Sequence, residues 1–450
     1  MGSTRLRVLV TATNLDLAGT AEGSCSVKYL ELLVHLGHHV RVINGANNLT
    51  ESPAPWLPGV EVVDLDGPVE HAPDLSWVGR KLGATRAHLT GFGPLERQRR
   101  SRWRRSLALE VATFAPDVVV TRAAGLDVTP HLAMIDLDQP VPWVAHLHDP
   151  WPLSTFPDPY RRHEGLISTR QEAACRRILG RADVVTFPAA RQRDWQLRRS
   201  RIDLGDRAVV VPHLGVEGGL VTGLADPWGP DGSATTWAPP SAEGTAPLRL
   251  IHAGSLFRQR DPRPLIEALA RIIEDVPGPP LPLQLRLVGW IDPKLMSADG
   301  WSDLVDPLVA CGALELEPGN ITYQESIAAL ESSDVLLTYV VGTPESPQFP
   351  AKLADLFSLG RPMLVIGPRA STPADLVGSS SASFVDRDTP GSMERALRSL
   401  LVHRRAGTLG ALAPSPRQRR LVSAETVGVA VEQALMAARA NHWRRRPRGR

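Results

Sequence analysis

The sequence predicts an α/β protein made of two Rossmann-like domains that face each other across a deep cleft. Three observations lead there. Short apolar runs alternate with longer amphipathic stretches, which is the pattern of parallel strands joined by crossover helices. At 450 residues the chain is too long for one ordinary domain. The alternation also stops and restarts: residues 219–247 are rich in Gly, Pro, Ala, Ser and Thr and read as a linker or insertion.

In the first half, strands are expected at 7–11, 39–44, 117–121, 142–146, 183–187 and 208–212. A helix pattern at 26–36 is closed by Gly37, which makes the first βαβ unit. After the break, strands are expected at 249–253, 284–289, 321–323, 335–341 and 362–366. Helices are expected at 262–274, 350–359 and 391–402, and a last one at 423–440 packs back across both halves. The domains follow as 1–220, a linker at 221–247, 248–420, a returning helix at 421–441 and a disordered basic tail at 442–450.

Composition narrows the function. Hydrophobic residues at 43% and charged residues at 22% supply a packed core and exclude global disorder. Fifty basic residues against 48 acidic give a net charge of +2, so no nucleic-acid partner is expected. No apolar run approaches the roughly 18 residues of a membrane span. The three cysteines, Cys25, Cys175 and Cys311, form neither a disulfide framework nor a metal-ligand spacing, which suits a reducing cytoplasm. The first ten residues read as a strand rather than a signal peptide. Only four of the 50 basic residues are lysine, which we read as codon bias.

In a doubly wound sheet, ligands bind outside the carboxyl ends of the strands. The loops there carry the candidate residues. In the segment 349–362, Pro350 suits a helix start and Gly360 a helix end. The free N–H groups of that start form an anion site, to which Ala351 belongs. Lys352 adds a point charge in the first turn, and Asp355, three residues on, shares its face. Such a helix can hold the ribose and phosphates of a nucleotide; an ordinary solvated Lys–Asp pair is the alternative. In the segment 251–262 a strand ends at Gly254, and Ser255, Arg258 and Arg260 follow on the loop. Fixed positive charge there suits a departing diphosphate.

In this order these residues resemble GT-B glycosyltransferases, specifically family 4 of the retaining, sugar-nucleotide-dependent enzymes. The matched positions are Gly254, a basic residue six positions on at Arg260, and then Pro350, Lys352, Asp355, Gly360 and Pro362. The resemblance spans residues 7 to about 401. It implies that Asp355 holds the donor ribose and Arg260 the diphosphate, to which the point charge of Lys352 adds. The stretch Val144 to Trp151 is similar to the family's His-containing loop, so His148, with His146 as the alternative, is expected to meet the donor sugar and Asp149 to lie beside it. Gly19 and Gly23 match the family's glycine-rich turn on the acceptor side. Two positions depart from the pattern. Pro347 stands where the family has its first Glu, with Glu345 as the nearest substitute. Ser255 stands where an Arg often follows the Gly, with Arg258 as compensation.

The expected reaction is transfer of a hexose-type sugar from a nucleoside diphosphate to an acceptor hydroxyl, with retention. It requires no cofactor beyond the sugar nucleotide and no metal, since no D-x-D motif falls at a cleft position. The acceptor class stays open among cell-surface glycan, glycolipid and secondary metabolite. A sugar-nucleotide 2-epimerase of the same architecture and a non-catalytic partner subunit are the rival readings. The basic stretch from Arg97 to Arg105, with Trp103 inside it, suggests peripheral contact with an anionic membrane, against a plain solvated helix.

Overall fold

The computed structural model describes residues 5–13, 15, 21–45, 57–65, 85–123, 125, 127–137, 140–216, 246–276, 280–342 and 344–445. Strands β1 (Arg7–Ala12), β2 (His39–Asn44), β3 (Val60–Asp64), β4 (Val118–Ala123), β5 (Trp143–Leu147), β6 (Val184–Phe187) and β7 (Ala208–Val210) form one parallel sheet, ordered β3-β2-β1-β4-β5-β6-β7. Strands β8 (Leu248–Ala253), β9 (Leu283–Gly289), β10 (Leu314–Pro318), β11 (Val335–Tyr339), β13 (Met363–Gly367) and β15 (Phe384–Asp386) form a second, ordered β10-β9-β8-β11-β13-β15. Short strands β12 (Glu345–Ser346) and β14 (Ala370–Ser371) pair separately. Both large sheets reverse direction of growth between their first and fourth strands, and that is where a doubly wound fold opens its ligand crevice.

The central strands carry apolar runs because both faces of each sheet are covered, with polar residues such as Arg7, Arg122, Arg249 and His252 toward their ends. Val8, Leu9 and Val10 are fully buried, as are Val335, Leu336 and Leu337. The first helix, Ala21–His35, starts earlier than the apolar period indicates. It ends where expected: Gly37, at φ 85°, lets His38 N–H reach Leu33 O at 3.1 Å and its own N–H reach Val34 O at 2.9 Å. That cap turns the chain into β2.

The last helix, Ala424–Arg445, returns to the N-terminal sheet. Its Val427, Val431, Ala434, Leu435 and Ala438 share a core with Val8, Val118 and Val144. By length and composition a stretch ending in this helix is apolar enough to cross a membrane; in the fold the five residues just named cover the sheet, while Val429, Met436 and Trp443 are exposed.

Three expectations are corrected and one omission is filled. Residues 442–445, expected in a disordered tail, are helical: His442 lies 3.0 Å from Asp183, and Arg445 donates to Gly180 O at 2.6 Å. The strand expected at 321–323 is absent. Thr322 instead forms a capping box with Glu325 and starts a helix, Tyr323–Glu331, and the strand is β10, earlier in the chain. The sequence reading also passes over β3, an edge strand whose residues are only partly buried. Finally, Trp103 does not face outward. It is 1% exposed, and its ring lies 2.4 Å from where a Cβ on Gly45 would sit. Arg102 is buried and donates to Leu65 O at 3.0 Å, and Arg100 pairs with Asp136 at 2.5 Å. Within that stretch Arg104 and Arg105 are exposed, so the helix carries outward charge without the aromatic that membrane contact was read from. The linker expectation falls outside the described residues except for 246–247.

Candidate active site

A cavity of about 350 Å³ opens at the carboxyl ends of the strands, between the two lobes. Its C-lobe wall begins where β8 ends. Gly254, at φ 146°, takes a conformation that side chains disfavour, and a Cβ there would sit 2.1 Å from Lys352 Nζ. Gly289, ending β9 at φ 119°, packs against it: a Cβ would meet Gly254 O at 2.8 Å. Two glycines side by side thus make the recess that seats the Lys352 ammonium.

The helix Ala351–Leu359 points its N-terminus into this cavity. Pro350 precedes it and supplies no side-chain cap; Leu353 N–H is taken by Pro350 O at 2.9 Å, and Ala351 and Lys352 of the uncapped first turn line the cavity. Gly360, at φ 64°, ends it. Burial pushes the Lys352 ammonium down to about 7, and the neighbouring Arg260 adds to the effect while Asp355 opposes it. Arg260 sits on the short turn Arg258–Arg260 with Nη1 3.5 Å from Ser255 O, and its buried Nε has no hydrogen-bond partner among the described residues. Burial lowers its pKa too. His252, also on this wall, is held well below the usual imidazole range by burial, then by Lys352 and Arg260, so it is neutral.

Asp355 is nearly buried and lines the cavity. Its Oδ1 accepts from Lys28 Nζ at 2.8 Å and from the Tyr323 hydroxyl at 2.9 Å. Lys28 comes from the first helix, in the other lobe.

The N-lobe wall carries Glu22, His148 and Asp149. Asp149 accepts from Gln348 Nε2 at 2.7 Å across the cleft; burial raises its pKa, partly offset by His148. The His148 ring lies 4.7 Å from that of His213, which in turn lies 5.4 Å from Phe349. Burial, with His148 and Arg122 nearby, holds His213 well below the usual range.

Among the candidates, His148, Asp149, Gly254, Ser255, Arg260, Ala351, Lys352 and Asp355 come together on one cavity. Others do not. Arg258 is exposed and is not among the lining residues. Glu345 is turned to Arg191, 3.2 Å away, and is likewise off the wall, while Ser346 and Gln348 line it. His146 is buried behind the wall, with Nδ1 3.0 Å from Thr186 Oγ1. Gly23 is buried inside the first helix rather than in a turn. Gly19 lies outside the described residues. Sequence reasoning missed Lys28, Tyr323, Glu22, His252 and Gln348. The one available signal was the rarity of lysine, which makes Lys28 stand out.

Among the described residues, two groups have ligating atoms within 4.8 Å of one another: Cys25, His148 and His213, and Glu22, His148 and Asp149. Lys28 and Arg122 add like charge beside His213, which opposes a cation in the first group.

No protein-family model matches the sequence, and no curated protein sequence matches it. Solved structures do match. A glycosyltransferase from Rickettsia africae ESF-5 aligns with a TM-score of 0.62 at 13% identity, over 96% of this chain and 99% of that one. An α,α-trehalose-phosphate synthase (UDP-forming) from Burkholderia vietnamiensis aligns at 0.57 and 14%, over 97% and 99%. A UDP-GlcNAc 2-epimerase from Neisseria meningitidis, bound to UDP-GlcNAc, aligns at 0.52 and 12%, over 96% and 100%. The chain has the GT-B fold. At these identities the likeness extends to the fold, and the chemistry must be argued from the cleft.

Proposed function

We propose that the protein is a glycosyltransferase that moves a sugar from a nucleoside-diphosphate sugar to an acceptor hydroxyl. One observation carries this: Lys352, Arg260 and an uncapped helix N-terminus converge on one cavity with Asp355 one helical turn away. That is an anion site beside a diol acceptor, the two halves of a sugar nucleotide. In this reading Arg260, Lys352 and the helix N–H groups hold the diphosphate, Asp355 holds the ribose, and His148 meets the sugar. The bond from the anomeric carbon to the diphosphate breaks, and its electron pair leaves with the phosphate oxygen. The acceptor oxygen forms the new bond on the same face, and its proton passes to that phosphate oxygen. This is the retaining course of family 4, and it needs no metal. The charge that develops on the leaving group meets cations already in place. Contact between the lobes excludes water and limits donor hydrolysis. The trehalose-phosphate synthase among the structural neighbours is UDP-forming, which supports a nucleoside diphosphate as the leaving group. The acceptor class and a cytoplasmic site of action, peripheral to the membrane or not, belong to this proposal as expectations.

One observation favours a second reading, a sugar-nucleotide 2-epimerase. Glu22 and Asp149 place two carboxylates on the cavity wall beside His148, and elimination and readdition require such groups.

A panel of UDP, ADP and GDP sugars, screened by thermal shift and then by slow turnover with EDTA present, separates the readings. Donor hydrolysis or transfer supports the glycosyltransferase. An epimer formed without acceptor supports the second reading. Absence of any stabilising sugar nucleotide would overturn both.

A further inference from the structure

We infer that Lys28 is a positioning residue for the ribose site, acting through Asp355 from the opposite lobe. The inference rests on the nucleotide reading of Asp355 and adds to it a residue outside the lobe that binds the donor. Lys28 is 1% exposed and Asp355 5%. A buried ammonium is tolerated only when a carboxylate and further hydrogen bonds replace water. Here the Lys28 Nζ reaches Asp355 Oδ1 at 2.8 Å and the Tyr323 oxygen at 3.4 Å, with the Tyr323 ring 5.2 Å away.

The geometry divides the carboxylate. Oδ1 is taken twice, by Lys28 and by the Tyr323 hydroxyl, while Oδ2 has no hydrogen bond from the described residues. A carboxylate oxygen has about two acceptor directions. Lys28 and Tyr323 therefore saturate one oxygen, fix the rotation of the group, and leave the other as the acceptor for a vicinal diol. Tyr323 belongs to the same lobe as Asp355, but Lys28 does not. The ribose acceptor is complete only while the first helix is docked against the helix Ala351–Leu359. Discrimination of ribose from a sugar without hydroxyls should then depend on a residue that touches no part of the nucleotide.

The test compares UDP, ADP and GDP with their 2′,3′-dideoxy counterparts by titration calorimetry, in the wild-type protein and in Lys28→Met. The wild type should prefer the ribose form of its best-binding nucleotide by about tenfold or more, the scale of a lost charge-assisted hydrogen bond. Lys28→Met should bring that ratio near one while the dideoxy form binds about as before. Lys28→Arg should restore part of the ratio, and Lys28→Gln replaces the Met variant if that variant does not fold. An unchanged ratio in a folded Met or Gln variant overturns the inference and leaves the role of Asp355 standing. A wild type that binds ribose and dideoxy forms equally overturns the reading of Asp355 and the inference with it.

Discussion

Raising the pH should remove one of the two cations on the C-lobe wall of the cavity while leaving the other in place. Lys352 is pushed from its ordinary 10.5 down to about 7 by burial and by Arg260. Burial lowers Arg260 as well, but a guanidinium stays charged. The sign follows from linkage. Lys352 is cationic below about 7 and neutral above it. A bound diphosphate favours the cation, so binding takes up a proton and affinity falls as the pH rises. If the charge is fully required, affinity scales inversely with one plus ten to the power of the pH minus the pKa. Between pH 6.5 and 8.5 that is a loss of about 25-fold. The same shift acts on the empty protein in the opposite sense: between about 7 and 10.5 the unfolded chain binds the extra proton, so stability rises with pH. The assay is titration calorimetry with a sugar nucleotide, whose esterified phosphates do not titrate in this range, repeated in two buffers of different ionisation enthalpy to count protons. Glu22, His148 and Asp149 share the cavity, so Lys352→Met is the control and should bind weakly with a flat profile. A flat wild-type profile, or the same slope in the Met variant, would refute the argument.

Three further outcomes follow from the packing. Gly254→Ala should weaken diphosphate binding by about tenfold or more, because a Cβ would stand 2.1 Å from Lys352 Nζ on backbone at φ 146°; calorimetry with UDP, ADP or GDP reads it. Gly215→Ala should separate the lobes, since its Cβ would fall 1.7 Å from Ser358 Oγ and 2.8 Å from Ala354 O; small-angle scattering should show a larger radius of gyration. Trp103→Ala should cost about 3–5 kcal/mol in urea denaturation, whereas Arg104→Ala and Arg105→Ala, both at exposed positions, should change stability little.

Much of the C-lobe wall was legible because its signals are local. A helix that starts at a proline, ends at a glycine, and carries Lys352 and Asp355 one turn apart can be read in a dozen residues. So can a strand that stops at Gly254. What could not be read is whatever comes from elsewhere in the chain. Lys28 is 327 residues from Asp355, and Gln348 is 199 from Asp149; neither spacing leaves a periodic trace. The exposed edges failed for a different reason. In β10, Glu315 and Glu317 project outward toward Arg286, which breaks up the apolar run that identifies the inner strands. Trp103 was misread because its neighbours in sequence are arginines. Several of those side chains turn back to Asp127, Asp136 and Leu65 O, so a stretch that looks solvated covers the core.

The contacts between the lobes are built partly from the cavity's own residues, and this ties water exclusion to site assembly. Lys28 meets Asp355, Gln348 meets Asp149, and Arg191 meets Glu345 and Asp375. In the first two pairs one partner lines the cavity from each side or sits directly behind its wall. Separating the lobes would strip Asp355 of its buried counter-ion and Asp149 of its donor, exposing two carboxylates to water. Rehydration would compensate, so opening need not be costly. It would nonetheless release the orientation of both groups at once, and the lobes must dock before either carboxylate is again held in place. Glu345 belongs to this arrangement too. It stands close in sequence to the position where the family pattern has its first Glu, yet it pairs with Arg191 of the other lobe. The nearest substitute for that Glu therefore makes a lobe contact and does not line the cavity.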